Sequence, residues 1–133
     1  MVGRITTGGL AAEPVTSIQV EGRAAVTLLG PLEPELRRLN GATVSVAGAP
    51  AAGGRGGAFT VSRYDIVAID GARPSVGTIV ARGNETLLVA NDTVRLAGAP
   101  ADLRSKAGAK VWIVGRRAGA DLTVQSYGVI REP

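Results

Sequence analysis

The 133-residue chain contains no cysteine and no histidine. Without cysteine there is no disulfide framework, no thiolate nucleophile and no thiolate metal ligand, and the redox compartment stays open. Without histidine the chain lacks the commonest general base and the commonest transition-metal ligand. Aromatic residues are scarce: Phe59, Tyr64, Trp112 and Tyr127 are all there are. The apolar residues are instead Val, Ile, Leu and Ala, which suit the inside of a narrow barrel. Lysine is nearly absent, with 13 Arg against 2 Lys in a formal net charge of +4. An Arg bias can serve phosphate recognition, because a guanidinium fork matches phosphate oxygens in pairs. It also arises from a GC-rich genome that encodes Arg and Ala readily. The charges are scattered among 11 acids rather than clustered, which favours the compositional origin.

No apolar run approaches the ~20 residues needed to span a bilayer as a helix. The opening Met1-Val-Gly-Arg-Ile carries no apolar stretch of the kind found in a secretory leader. The first recurring motif nevertheless begins at Val2, immediately after Met1. That fits a trimmed chain with a new start methionine, from which a signal peptide has been removed. On that reading a bacterial periplasmic or secreted location is favoured over the cytoplasm.

What the chain does contain is one unit written twice. Leu36-Arg-Arg-Leu-Asn-Gly-Ala-Thr-Val-Ser-Val46 returns as Leu103-Arg-Ser-Lys-Ala-Gly-Ala-Lys-Val-Trp-Ile113, offset by 67 residues. Phe59-Thr-Val61-x-x-Tyr64-x-Ile66 returns as Leu122-Thr-Val124-x-x-Tyr127-x-Val129, offset by 63. Upstream, Val2-Gly3-x-Ile5 matches Val76-Gly77-x-Ile79. Two related modules are expected, about residues 1–72 and 73–133. A piece of 60–70 residues buries only about 60 % of its unfolded surface, so each module is small for a self-sufficient core.

Glycine and proline cut each module into short segments, as in all-β proteins. The second module predicts strands at Val76–Arg82, Thr86–Ala90 and Thr93–Ala97. A short helix over Pro100–Lys106 follows, then strands at Ala109–Val114 and Leu122–Ile130. The first module predicts Val2–Thr6, Thr16–Val20, Ala24–Leu29, a helix over Pro31–Leu39, Ala42–Ala47 and Ala58–Ile69. Val61 and Tyr64, like Val124 and Tyr127, are separated by two residues. This breaks the alternation of faces and predicts a β-bulge in each last strand.

The order of three strands, a helix and two strands is that of the OB-fold, a five-stranded Greek-key barrel. Two tandem OB-like barrels are therefore expected, each with its helix between strands 3 and 4. One fused barrel with exchanged strands is the alternative. The Leu-x-x-Leu/Ala-x-Gly-Ala-x-Val-x-Val/Ile-x-Gly run resembles tandem OB-like domains of unknown function in bacterial envelope and secreted proteins. That resemblance implies a fold and brings no catalytic residues.

Four residues are candidates for contact with a ligand or partner. Arg55 sits in Gly53-Gly-Arg-Gly-Gly57, between strands 4 and 5, where OB-folds often border their ligand groove. The run is no P-loop, since it lacks the Gly-Lys-Ser/Thr ending and leads into a strand. Arg116 and Arg117 occupy the matching stretch of the second module. Trp112 replaces Ser45 in the alignment and could stack on a base, a sugar or a partner, or serve packing. The acid pairs Glu33/Glu35 and Asp65/Asp70 read as solvated charges. No catalytic constellation, metal-ligand spacing or cofactor motif emerges, so a non-enzymatic protein is expected. Its expected activity is binding through protein–protein contacts, including self-association. Single-stranded nucleic acid or another anionic polymer in an OB-like groove is the alternative.

Overall fold

A computed structural model describes the backbone of residues 1–10, 13–51 and 58–133; of these, the side chains of residues 9, 10, 13 and 14 are left aside. The chain divides into two compact units, Met1–Gly71 and Ala72–Pro133. The first holds β1 (Val2–Leu10), β2 (Glu13–Gln19), β3 (Val26–Leu29), α1 (Glu33–Arg37), β4 (Thr43–Pro50) and β5 (Ala58–Ala68). The second holds β6 (Ser75–Arg82), β7 (Glu85–Val89), β8 (Thr93–Ala97), α2 (Ala101–Arg104), β9 (Lys110–Ala118) and β10 (Asp121–Arg131). Neither helix is long and apolar enough to cross a membrane.

Each unit is a closed five-stranded barrel. The strand order is β1-β2-β3-β5-β4 in the first and β6-β7-β8-β10-β9 in the second. Closure runs through Val2↔Ser45 in the first barrel and Val76↔Trp112 in the second. Among the described residues the parallel pairings are β3 with β5 and β8 with β10. This is the OB-like order, and among the described residues each sheet draws its strands from one copy.

The recurring residues hold the barrel together. Ile5/Ile79, Ile18/Leu88, Leu28/Leu96, Leu36/Leu103, Val44/Val111 and Val46/Ile113 occupy matching positions, and all are buried. Leu36 and Leu103 are completely buried; each helix is short and amphipathic, and presents this leucine to the barrel. Truncation of such a side chain costs about 2–5 kcal/mol. The helices are shorter than the sequence predicts, because Pro31-Leu32 and Arg38-Leu39 form turns rather than helix. Acids Glu33 and Glu35 in the first turn and Arg37 in the last complement the α1 dipole.

The Gly-Ala step after each helix docks it onto the first strand. Gly41 N–H donates to the Ile5 carbonyl (2.8 Å) and Ile5 N–H to the Ala42 carbonyl (2.9 Å). Gly108 N–H donates to Ile79 (2.7 Å) and Ile79 N–H to Ala109 (3.0 Å). Gly41 and Gly108 have φ of +89° and +94°, a conformation open mainly to glycine. This accounts for the glycine of the recurring Gly-Ala step; the glycine of Val-Gly-x-Ile is fixed by space, since a Cβ at Gly3 or Gly77 would come within 2.5 or 2.6 Å of the Gln19 or Val89 carbonyl oxygen.

The predicted bulges are present, and each last strand carries a second one. Pairing skips Ser62 and Val67 in β5, and Gln125 and Ile130 in β10. The β1–β2 hairpin is longer than its sequence suggests: β1 continues to Leu10 and β2 begins at Glu13. Its counterpart, β6–β7, turns tightly after Arg82↔Glu85.

Candidate binding surfaces

Strand alternation separates the residues that the sequence singles out. Val111 and Ile113 point into the second barrel and are buried, so Trp112 lies on the outer face. It is half-buried rather than free, because its indole lies across Gly128, its direct partner on β10. A Cβ at position 128 would come within 2.7 Å of the indole Cζ2. In the first barrel this cross-strand pair is Ser45 and Asp65. The large residue and the bare one have thus been exchanged together.

Arg116 is exposed on the same outer face as Trp112, paired across the ladder with Thr123. Arg117 takes the opposite face. It borders a cavity of about 440 Å³ together with Arg73, Ser75, Asn91 and Asp92, over a floor of Leu88 and Val94. Its Nε–H donates to the Gly119 carbonyl at 3.3 Å. The two adjacent arginines therefore serve different surfaces. Arg55 and the Gly53–Gly57 run lie outside the described residues.

The acid pair Glu33/Glu35 is not a solvated pair. The Thr16 hydroxyl donates to Glu33 Oε2 at 2.7 Å, and Arg37 Nε–H donates to the same oxygen at 2.9 Å. Arg37 Nη2 also donates to Glu33 Oε1. The Arg37 hydrogen bond, aided by Thr16, holds the Glu33 carboxyl below the ordinary carboxylate range against the opposing effect of burial. Glu35 is only 7 % exposed, and the Tyr64 hydroxyl donates to its Oε1 at 2.7 Å. The usable signal was the Glu33-x-x-x-Arg37 spacing, which places acid and base on one helical face. Burial of Glu35 next to Leu36 left no such trace.

The aromatic ring positions of Tyr64 and Tyr127 correspond, but their hydroxyls do not. Tyr127 packs on the core of the second barrel, and its hydroxyl has no hydrogen-bond partner among the described residues. Asp102, which aligns with Glu35, is exposed.

The outer faces of the two barrels also differ in charge. In the second, Arg95 Nε–H and Nη2 donate to Asp121 Oδ1 and Oδ2 at 2.8 and 2.9 Å, and Nη1 lies 3.2 Å from Glu85 Oε1. Hydrogen bonds from Arg95 lower the Asp121 carboxyl below its usual range. The aligned residues in the first barrel are Val15, Thr27 and Ala58. Thr27 pairs with Ser17 and Ala58, and extension of that register sets Val15 across from Leu29. Val15 and Leu29 are 43 % and 42 % exposed, so the positions that carry charge in the second barrel are uncharged here and their surroundings partly apolar.

Among the described residues no group of three or more Asp or Glu is placed to hold a metal ion. The chain matches no protein-family model and no curated protein sequence.

Proposed function

We propose that the protein is a non-enzymatic binding module that acts through protein–protein contacts, including contacts between copies of itself. The observation that carries this reading is the outer face of β2 and β3, where exposed Val15 and Leu29 sit among the uncharged Ser17, Thr27, Ala58 and Thr60. Such a face offers nothing to a phosphate and a moderate apolar area to a protein surface. Closure of both barrels adds a constraint. Each sheet closes on itself, which shortens the strand edge open to a partner and leaves side-chain faces as the main surface it would meet. Tandem OB-like barrels of bacterial envelope and secreted proteins, which the repeat resembles, are the family this reading favours.

Binding of single-stranded nucleic acid is the second reading, supported by exposed Arg116 on the same face as Trp112. Against it, Trp112 covers Gly128, Tyr64 is tied to Glu35, and Tyr127 packs on the core. Few rings are left to form a stacking platform.

Fluorescence anisotropy with labelled single-stranded DNA and RNA, at low and near-physiological salt, separates the two. Absence of binding at low salt favours the protein-contact reading, to be followed by light scattering and by comparison with Leu29→Lys. Micromolar binding that falls steeply with salt would overturn it.

A further inference from the structure

The two barrels serve as each other's reference for one polar site. In the first, the Glu33 carboxylate joins the hydroxyl of buried Thr16 to the guanidinium of Arg37. Thr16 aligns with Thr86, since Ile5↔Ile18 and Ile79↔Leu88 are matching ladder pairs. Arg37 aligns with Arg104, each following the buried leucine of its helix. Hydroxyl and guanidinium are thus retained in the second barrel. The acid is not, because Pro100 stands where Glu33 does.

A cavity of about 360 Å³ opens beside α2, lined by Thr86 and Arg104 together with Asn84, Glu85, Arg95 and Leu96 among others. Thr86 is only 7 % exposed, yet its hydroxyl has no hydrogen-bond partner among the described residues. Arg104 has no ion-pair partner there either. The remaining charges at the cavity are already engaged, Glu85 with Arg95 and Arg95 with Asp121. The Thr86 hydroxyl and the Arg104 guanidinium both line the cavity, and both can donate to an anion that enters it, in charge-assisted hydrogen bonds.

We propose that this cavity is a carboxylate-binding site, in which a ligand carboxylate takes the place that the Glu33 side chain fills in the first barrel. The planar, two-oxygen geometry of that internal acid sets the class, because one oxygen serves the hydroxyl and both serve the guanidinium. The carboxylate can come from a small free acid or from an acidic side chain of a peptide. The inference does not depend on the protein-contact reading, since a free acid would satisfy it.

The test is an NMR titration of the full chain with acetate, with the peptide acetyl-Ala-Glu-Ala-amide and with inorganic phosphate. Saturable shifts at Thr86 and Arg104, with a Kd of about 1–10 mM, are expected for the carboxylates. Thr16 and Arg37 should not move, as their site is filled. Tighter binding of the peptide assigns the acid to a protein, and tighter binding of acetate to a small molecule. Arg104→Gln should weaken binding about tenfold or more. Pro100→Glu should abolish it by supplying the missing acid in place. Absence of saturable shifts would overturn the proposal, as would equal binding in Pro100→Glu. Equally tight binding of phosphate would overturn the assignment to carboxylates.

Discussion

The indole of Trp112 lies across Gly128, and the first barrel has Ser45 beside Asp65 at the same two positions. The glycine exposes backbone on the outer sheet surface, and the neighbouring ring covers it. This arrangement stabilises a strand that glycine alone would weaken. Gly128→Ala should push the indole off the strand and cost about 1–3 kcal/mol. Trp112 is the only tryptophan, so its emission should shift to the red at the same time. In a double-mutant cycle with Trp112→Ala the two costs should not add, because the three atoms nearest to an added Cβ at 128 all belong to the ring. Additive losses in urea titrations would show that the two do not act together.

Gly48 and Gly115 occupy aligned positions beside the first bulge of each barrel. A Cβ on either would collide with the carbonyl oxygen of Thr60 or Thr123. Gly48→Ala and Gly115→Ala are each expected to destabilise by about 3 kcal/mol or more, since backbone must move. Gly8 is the control: among the described residues none beyond its chain neighbours comes within 4 Å of an added Cβ. Gly8→Ala should be neutral or stabilise by up to about 1 kcal/mol through the unfolded chain. Thermal unfolding of the three variants checks the ranking.

Tyr64→Phe removes a hydrogen bond to the buried Glu35 carboxylate and should cost about 1–3 kcal/mol. Tyr127→Phe, where the hydroxyl has no partner among the described residues, should stay within about 0.5 kcal/mol of wild type. Equal effects in chemical denaturation would mean that the hydroxyl bond contributes nothing beyond the ring.

The pH dependence follows from Glu33 and Asp121, whose folded pKa values both lie below their ordinary values of 4.5 and 3.8. The folded state therefore binds these protons less readily than the unfolded chain. The resulting stabilisation is complete above the ordinary carboxylate range and is lost as pH falls through the lowered values. Glu33→Gln should flatten the loss of stability on acidification, because glutamine has no proton to gain. Asp121→Asn should do so more weakly, and less still in high salt, since its ion pair with Arg95 is open to solvent. Unfolding midpoints measured from neutral pH to pH 2 test both.

Much of the fold could be read from the chain because backbone geometry leaves marks on residue choice. The positive φ of Gly41 and Gly108, the close approach at Gly48 and Gly115, and the two-residue gap before each bulge all demand particular residues. Duplication shows those demands twice. The long β1–β2 hairpin was hidden because Gly8, Gly9 and Pro14 are turn-forming residues in isolation, whereas cross-strand partners hold them extended here. The candidate site was less legible. Adjacent Arg116 and Arg117 look like one basic patch until a strand sends them to opposite faces. Thr86 and Arg104 are 18 positions apart in the chain and ordinary in type. Only the filled counterpart in the first barrel reveals what they lack.

Barrel closure also dictates how the chain reaches its native state. The seams join distant segments: Val2 with Ser45 and Thr27 with Ala58 in one barrel, Val76 with Trp112 and Arg95 with Asp121 in the other. Hairpins such as β9–β10 can zip early from a short turn, but neither seam forms until a long loop has been closed. The slow step of folding is therefore the meeting of chain ends rather than the growth of any strand. Contacts already made when the seams close, those of the early hairpins included, should govern how fast the protein folds, and contacts made only after that step how fast it comes apart.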